Sequence, residues 1–228
     1  VGFDLGVDAE MRDSVFMIGL FPVNPVLGYN RWKVNEGNWV TVDKRGRVRA
    51  NLRMENGDKR VNLQSLPDDG EQRERLRMEL VGVDLAEVSG MVPMMPDLVG
   101  RLDADMMMYD TRGQIGVEGS VAVEDMEVNG KRVGSPAVDL QYLVDQRFKR
   151  HEIGVGVSMD GVRQMEAKGE VGTDGKEGVL SLDVDIPSLS LDVANAFLPL
   201  DLMQLKGILT GGVRLRGTLN APQIDGKL

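Results

Sequence analysis

The reactive side chains that stand out in this 228-residue chain are one histidine and two closely spaced aspartate pairs. His151 lies between Arg150 and Glu152, with no catalytic motif around it. Any Ser-His-Asp set would have to use it, so the expectation is an ordinary surface histidine. Asp103 with Asp105, and Asp183 with Asp185, place two carboxylates on one face of an extended segment. Such pairs can hold Ca²⁺ or cleave glycosides. Here they alternate with apolar residues, which puts them on the solvent side of strands, where they serve as surface charge. Lys44, Arg45, Arg47, Arg49 and Arg53 could meet lipid phosphates, but they read first as a solvated basic hairpin. Residues 57–60 and 129–132 read as charged, solvated turns. The glycines of 207–217 alternate within a strand and do not open a helix, so they make no phosphate loop.

With no cysteine, the chain forms no disulfide, thiolate metal site or cysteine nucleophile. The formal charge of −9 speaks against nucleic acid as a partner. No cofactor or metal ligand set is legible, and the expectation is a protein that is not an enzyme. Aromatic residues are only 4% of the chain, so whatever apolar surface it has is built from Leu, Val and 14 Met. No apolar run approaches the ~20 residues of a membrane-spanning helix; the longest candidate, 15–21, has the length of a strand. The chain starts at Val1 without a leader, and alternation is still running at Leu228. It reads as a segment of a longer protein whose anchor or export signal lies elsewhere.

The elements that must position these residues are strands. Apolar residues recur at every second position, as at Val48, Ala50, Leu52 and Met54, or Ile153, Val155, Val157 and Met159. Asn56-Gly57, Asn129-Gly130, Asp160-Gly161 and Asp174-Gly175 mark two-residue hairpin turns, and Glu36-Gly37 and Arg112-Gly113 are weaker versions. About a dozen strands joined this way form an antiparallel meander, without the crossover helices of a parallel sheet. Two stretches, 83–100 and 191–207, break the alternation. Each reads as a short helix, with Asp84 and Asp192 as N-caps. Residues 91–96, rich in Met, are expected to pack against the sheet end.

The two breaks belong to an internal repeat. Leu76, Met78, Leu80, Val83, Leu85 and Pro93 match Leu182, Val184, Ile186, Leu189, Leu191 and Pro199 at one offset, 182 − 76 = 106. After one inserted residue, Leu98, Gly100, Leu102, Ala104 and Met106 match Leu205, Gly207, Leu209, Gly211 and Val213 at 205 − 98 = 107. The chain is therefore read as one elongated segment, 1–228, with diverged repeats at 73–113 and 179–217, the pattern of an array growing along one axis.

Across 205–219 the odd positions are Leu205, Gly207, Leu209, Gly211, Val213, Leu215, Gly217 and Leu219, whereas the even ones are mostly polar. An unbroken strand there would reach roughly 50 Å. One face of the sheet is thus greasy and must be covered, either by closure into a sandwich or barrel or by a ligand in a curled groove. Glycines in strands favour bends, and methionine adapts to irregular ligands. The expected lining comprises Leu205, Leu209, Val213, Leu215 and Leu219 with Leu102, Met106, Met108, Val155, Val157, Leu182 and Val184.

Residues 187–228 resemble the C-terminal regions of TamB-type translocation and assembly module proteins, part of the AsmA-like group. The resemblance rests on a leucine-rich strand, a short helix ending in Leu-Pro, the run Leu205-Lys206-Gly207-Ile208-Leu209, and Gly217-Thr218-Leu219 followed by Pro222, Gly226 and Leu228. The copy at 73–113 extends it. The resemblance implies an all-β fold, a curled antiparallel sheet (a β-taco) with two short helices, in a periplasmic protein of a Gram-negative bacterium anchored in the inner membrane. It implies a role in outer-membrane biogenesis: lipid transport by shielding phospholipid acyl chains, or care of nascent outer-membrane strands. It also implies a BamA-like outer-membrane barrel partner, and it carries over no catalytic residue. The alternative expectation is a structural module with a closed β-sandwich core that contacts such a barrel.

Overall fold

In a computed structural model the described residues are 2–28, 30–67, 74–92, 94–111, 114–145, 147–172, 178–196, 204–218 and 220–227. They form strands β1 Gly2–Arg12, β2 Val15–Gly28, β3 Asn30–Arg31, β4 Lys33–Val34, β5 Trp39–Asp43, β6 Val48–Asn56, β7 Lys59–Leu66 and β8 Glu74–Asp84. Helix α1, Leu85–Met91, leads to β9 Leu98–Thr111, β10 Gln114–Val128, β11 Lys131–Gly134, β12 Pro136–Asp145, β13 Arg150–Met159, β14 Val162–Gly172 and β15 Val179–Ser190. A 3₁₀ turn, Leu191–Ala196, precedes β16 Ile208–Thr218 and β17 Ala221–Lys227. None of the described helices is long and apolar enough to cross a membrane.

All seventeen strands belong to one sheet. It is an antiparallel meander: β1 pairs β2, β2 pairs β5, and each later long strand pairs the next, with the short β3, β4 and β11 as side branches. The sheet is curled but not closed. Its two end strands are β1 and β17, and no pairing joins them among the described residues. The closed sandwich is therefore not the architecture. The chain's accessible surface is 14415 Å², against about 10,200 Å² for a compact monomer of its mass. Full burial is confined to a few side chains. One cluster is Trp32, Val34 and Met54; another is Val128 and Val133, with Val193 of the 3₁₀ turn packed on it.

Turn chemistry follows the sequence in part. Asn129-Gly130 and Asp160-Gly161 are two-residue loops with φ of 50° and 73°, and 49° and 77°, the conformation that suits the twist of a hairpin. The turn expected at Asn56-Gly57 falls one residue later, because Asn56 pairs Lys59 and leaves Gly57-Asp58 as the loop. Asp13-Ser14, with φ of 50° and 66°, makes a hairpin without any glycine. Asp174-Gly175 and Arg112-Gly113 lie outside the described residues.

The repeat holds at the level of hydrogen-bonded register. Leu76 faces Met108, Met78 faces Met106, Leu80 faces Ala104 and Val83 faces Leu102. Adding the two offsets gives Leu182–Leu215, Val184–Val213, Ile186–Gly211 and Leu189–Leu209, which are the pairs observed. The bulge between Leu80 and Val83 recurs between Ile186 and Leu189. The equivalence runs on into β10 and β17: a Cβ on Gly119 would strike the backbone of Asp105 and Met106, and one on Gly226 that of Gly212 and Val213. Missing side chains at these points let neighbouring strands approach, which bends the sheet.

The first helix is capped as expected, with the Asp84 carboxylate accepting from Ala86 N–H at 2.8 Å. The second element departs from expectation. It is a 3₁₀ turn that begins at Leu191, so Asp192 lies inside its first turn and is not its cap. Leu191 N–H bonds the Gly207 carbonyl at 2.9 Å, and Asn195 clasps Leu205 through two 2.7 Å bonds. Those bonds divert 205–207 from the strand. β16 therefore starts at Ile208, shorter than the run of 205–219.

Candidate functional site

The candidate site is the inner face of the sheet. Register places apolar residues from one strand beside those from the next over most of the array. One row runs Ile224, Leu215, Leu182, Gly169, Ile153, Tyr142, Val117, Met108 and Leu76. The next runs Val213, Val184, Ala167, Val155, Leu140, Gly119, Met106, Met78, Leu63 and Leu52. A third takes Val157, Val138, Val121, Ala104, Leu80, Val61 and Met54.

Ten of the twelve expected lining residues fall on this face. Leu182, Leu215 and Met108 share the first row, Val213, Val184, Val155 and Met106 the second, and Val157 the third. Leu102 pairs Val83, and Leu209 pairs Leu189 beyond the bulge. Leu205 precedes β16 and is half-buried beside Asn195. Leu219 lies outside the described residues. The lining is half-buried in the main, and Met108 (37%), Ile115 (39%), Val138, Ile153 and Ile224 are exposed. Leu76, Ala104 and Met54 are buried, but most of the face stays partly accessible, which leaves room for apolar matter that the chain does not itself supply.

The polar outer face explains the aspartate pairs. Arg77 donates Nε to Asp105 Oδ1 at 2.8 Å and Nη2 to Oδ2 at 2.7 Å. This fork holds the Asp105 carboxyl below the usual range, and Arg77 correspondingly higher than usual. Asp103 accepts from Gly82 N–H at 2.9 Å and so satisfies the backbone at the bulge. Asp183 accepts from Arg216 at 2.8 Å and stands 3.5 Å from Arg214. Among the described residues no group of three or more His, Asp or Glu is placed to hold a metal.

His151 is not a plain surface residue. It shares the inner face with Ile153, half-buried, and its Nδ1 is 2.7 Å from Tyr142 Oη. The basic stretch is also more engaged than expected. Arg47 contacts Asp43 at 2.6 Å and Glu74 at 3.3 Å, and Arg49 contacts Glu74 too. For Asp43, burial pushes the pKa up, but hydrogen bonds from Arg47 and Arg45 outweigh it and leave the carboxyl below its ordinary value. Lys59 bonds Glu87 at 2.5 Å, and Lys131 bonds the Asn195 carbonyl at 2.8 Å, so neither turn is merely solvated. Residues 91–96 do not pack down as expected: Met94 is fully exposed, and Val92 and Met95 are exposed as well, while Pro93 lies outside the described residues.

The groove has unlike ends. At the Asp84 end of β8, α1 touches β2, and the 3₁₀ turn reaches back to β11, where Val128 and Val133 are buried. At the Glu74 end the inner face meets charge: Glu74 pairs Asp110, and a cleft of about 730 Å³ opens between the β5–β6 turn and the start of β10. What sequence reasoning missed is a set of side chains that replace absent ladder partners. Asn38 both accepts from Leu20 N–H at 2.7 Å and donates to Leu20 O at 3.0 Å, and Asn195 does the same for Leu205. No family model, curated protein or solved structure matches the chain.

Proposed function

We propose that the chain is a non-enzymatic, periplasmic segment of a TamB-type protein whose inner face shields apolar cargo, phospholipid acyl chains before all, on their way between membranes. The observation that carries this reading is the set of aliphatic rows running in register across ten strands of an open sheet, most of them partly accessible to solvent. Transfer of a methylene from water to such a face is worth roughly 0.8 kcal/mol, and it needs no reactive group. Asp105 and Asp183 on the outer face are engaged by arginines in the manner of structural ion pairs. The residues quoted for the resemblance support the periplasmic setting and a BamA-like barrel as partner.

The test is native mass spectrometry of the chain after incubation with phospholipid vesicles, together with photocrosslinking from positions 184 and 213. Acyl-lipid adducts from both positions support the groove. Crosslinks absent from both, with the chain folded by circular dichroism, would overturn it.

A further inference from the structure

We infer that the cleft at the Glu74 end of the groove is a headgroup site for an anionic amphiphile, which binds with its charged end at the β5–β6 turn and its alkyl chain along the inner face. This rests on the groove reading and adds an orientation and a charge preference to it. The cleft joins two kinds of wall. Val48, Leu76, Met108, Ile115 and Val117 continue the aliphatic rows. Arg45, Arg47, Arg49 and Arg75 stand in the same lining against Glu74 and Asp110, with Asp43 behind Arg47.

Among the described lining residues arginines outnumber carboxylates, although the chain as a whole carries −9. A single Glu74 oxygen, Oε1, meets both Arg47 and Arg49, so one carboxylate is divided between two guanidinium groups. Neither Arg45 nor the adjacent Lys44 has an ion pair with another described residue. A phosphate placed here adds the charge-assisted bonds that the shared carboxylate leaves unmade. At the opposite end of the groove Lys59 is taken up by Glu87 of α1 and Lys131 by the Asn195 carbonyl of the 3₁₀ turn, beside apolar clusters that suit the tail.

The experiment titrates the whole chain, below micellar concentrations, with dodecyl phosphate, with dodecyl maltoside and with inorganic phosphate. Dodecyl phosphate is expected to bind about tenfold more tightly than the maltoside, and inorganic phosphate not to saturate in the same range. The double variant Arg45→Gln/Arg49→Gln should lose about that tenfold for dodecyl phosphate and leave the maltoside unchanged. Equal binding of the two detergents, unmoved by the variant, overturns the headgroup site, while lipid crosslinks from positions 184 and 213 would still uphold the groove. Inorganic phosphate binding as tightly as its dodecyl ester overturns the amphiphile. A loss shared equally by both detergents in the variant means that the cleft, and not the charge, was altered. That result also overturns the inference.

Discussion

Asp105 and Arg77 face each other as a two-bond fork across β8 and β9, at 2.8 and 2.7 Å, on the outer face of the sheet. The fork lowers the carboxyl's pKa in the folded chain. A carboxylate depressed on folding contributes stability that is present above its unfolded pKa, about 3.9. That contribution is lost as pH falls through the folded value. Both side chains are about half exposed, so it is at most about 1 kcal/mol. Urea midpoints of the parent and Asp105→Asn should therefore differ at pH 6, and the gap should shrink progressively as the pH falls below about 3.9. A gap that persists undiminished into acid would mean that the fork's charge is not what stabilises.

Gly119 has φ of +150°, and a Cβ there would overlap the Asp105 carbonyl. Gly154 is an ordinary strand glycine whose nearest neighbour would be Gln141 Cβ at 3.7 Å. Both lie on inner strands, so they separate close approach from mere strand propensity. Gly119→Ala is expected to cost ~2 kcal/mol or more, because either the backbone or β9 must shift. Gly154→Ala should stay within about 0.5 kcal/mol of the parent. Thermal or urea unfolding of the two variants side by side reads the contrast.

The alternation of single residues was enough to assign the inner face. Leu182, Val184, Val213 and Leu215 each follow from a period of two, and register then brings them together on one face, because a one-residue slip would turn a strand's apolar side chains to the other side. The repeat was legible for the same reason, and the shared bulge at Leu80–Val83 and Ile186–Leu189 extends it. Other features depend on partners far away in sequence. Nothing around Asn195 announces that it will clasp Leu205, nor does the Arg150-His151-Glu152 context reveal Tyr142. Asp192 misled because a capping residue and a first-turn acid look alike in sequence; the Leu191–Gly207 bond, a long-range contact, decides between them.

Asn195 supplies both halves of a strand-like pair to Leu205, donating to its carbonyl and accepting from its N–H. Each bond is worth ~1 kcal/mol net, and the groups are half-buried. Asn195→Ala should lower stability by ~1–3 kcal/mol and speed hydrogen exchange at the Leu205 amide. Asn195→Asp keeps the acceptor but sets a carboxylate against the Leu205 carbonyl, so it should protect that amide while still destabilising. Unchanged exchange at Leu205 in Asn195→Ala would show that this clasp does not hold the entry to β16.

Val213 and Thr210 stand on opposite faces of β16, Val213 inward beside Val184 and Thr210 outward and exposed. An aspartate at 213 puts a charge in the middle of the second apolar row, where an acyl chain would have to desolvate it. The half-open face lets that carboxylate keep water in the empty chain, so folding should suffer far less than in a closed core. Val213→Asp is therefore expected to reduce phospholipid capture at least tenfold, with a modest fall in melting temperature, and Thr210→Asp to leave capture within about twofold of the parent. Capture is read by native mass spectrometry and melting by circular dichroism on the same samples. If Val213→Asp unfolded the chain outright, the inner face would be a sealed core after all. If it folded and still captured lipid at the parent level, acyl chains would not be passing over this row.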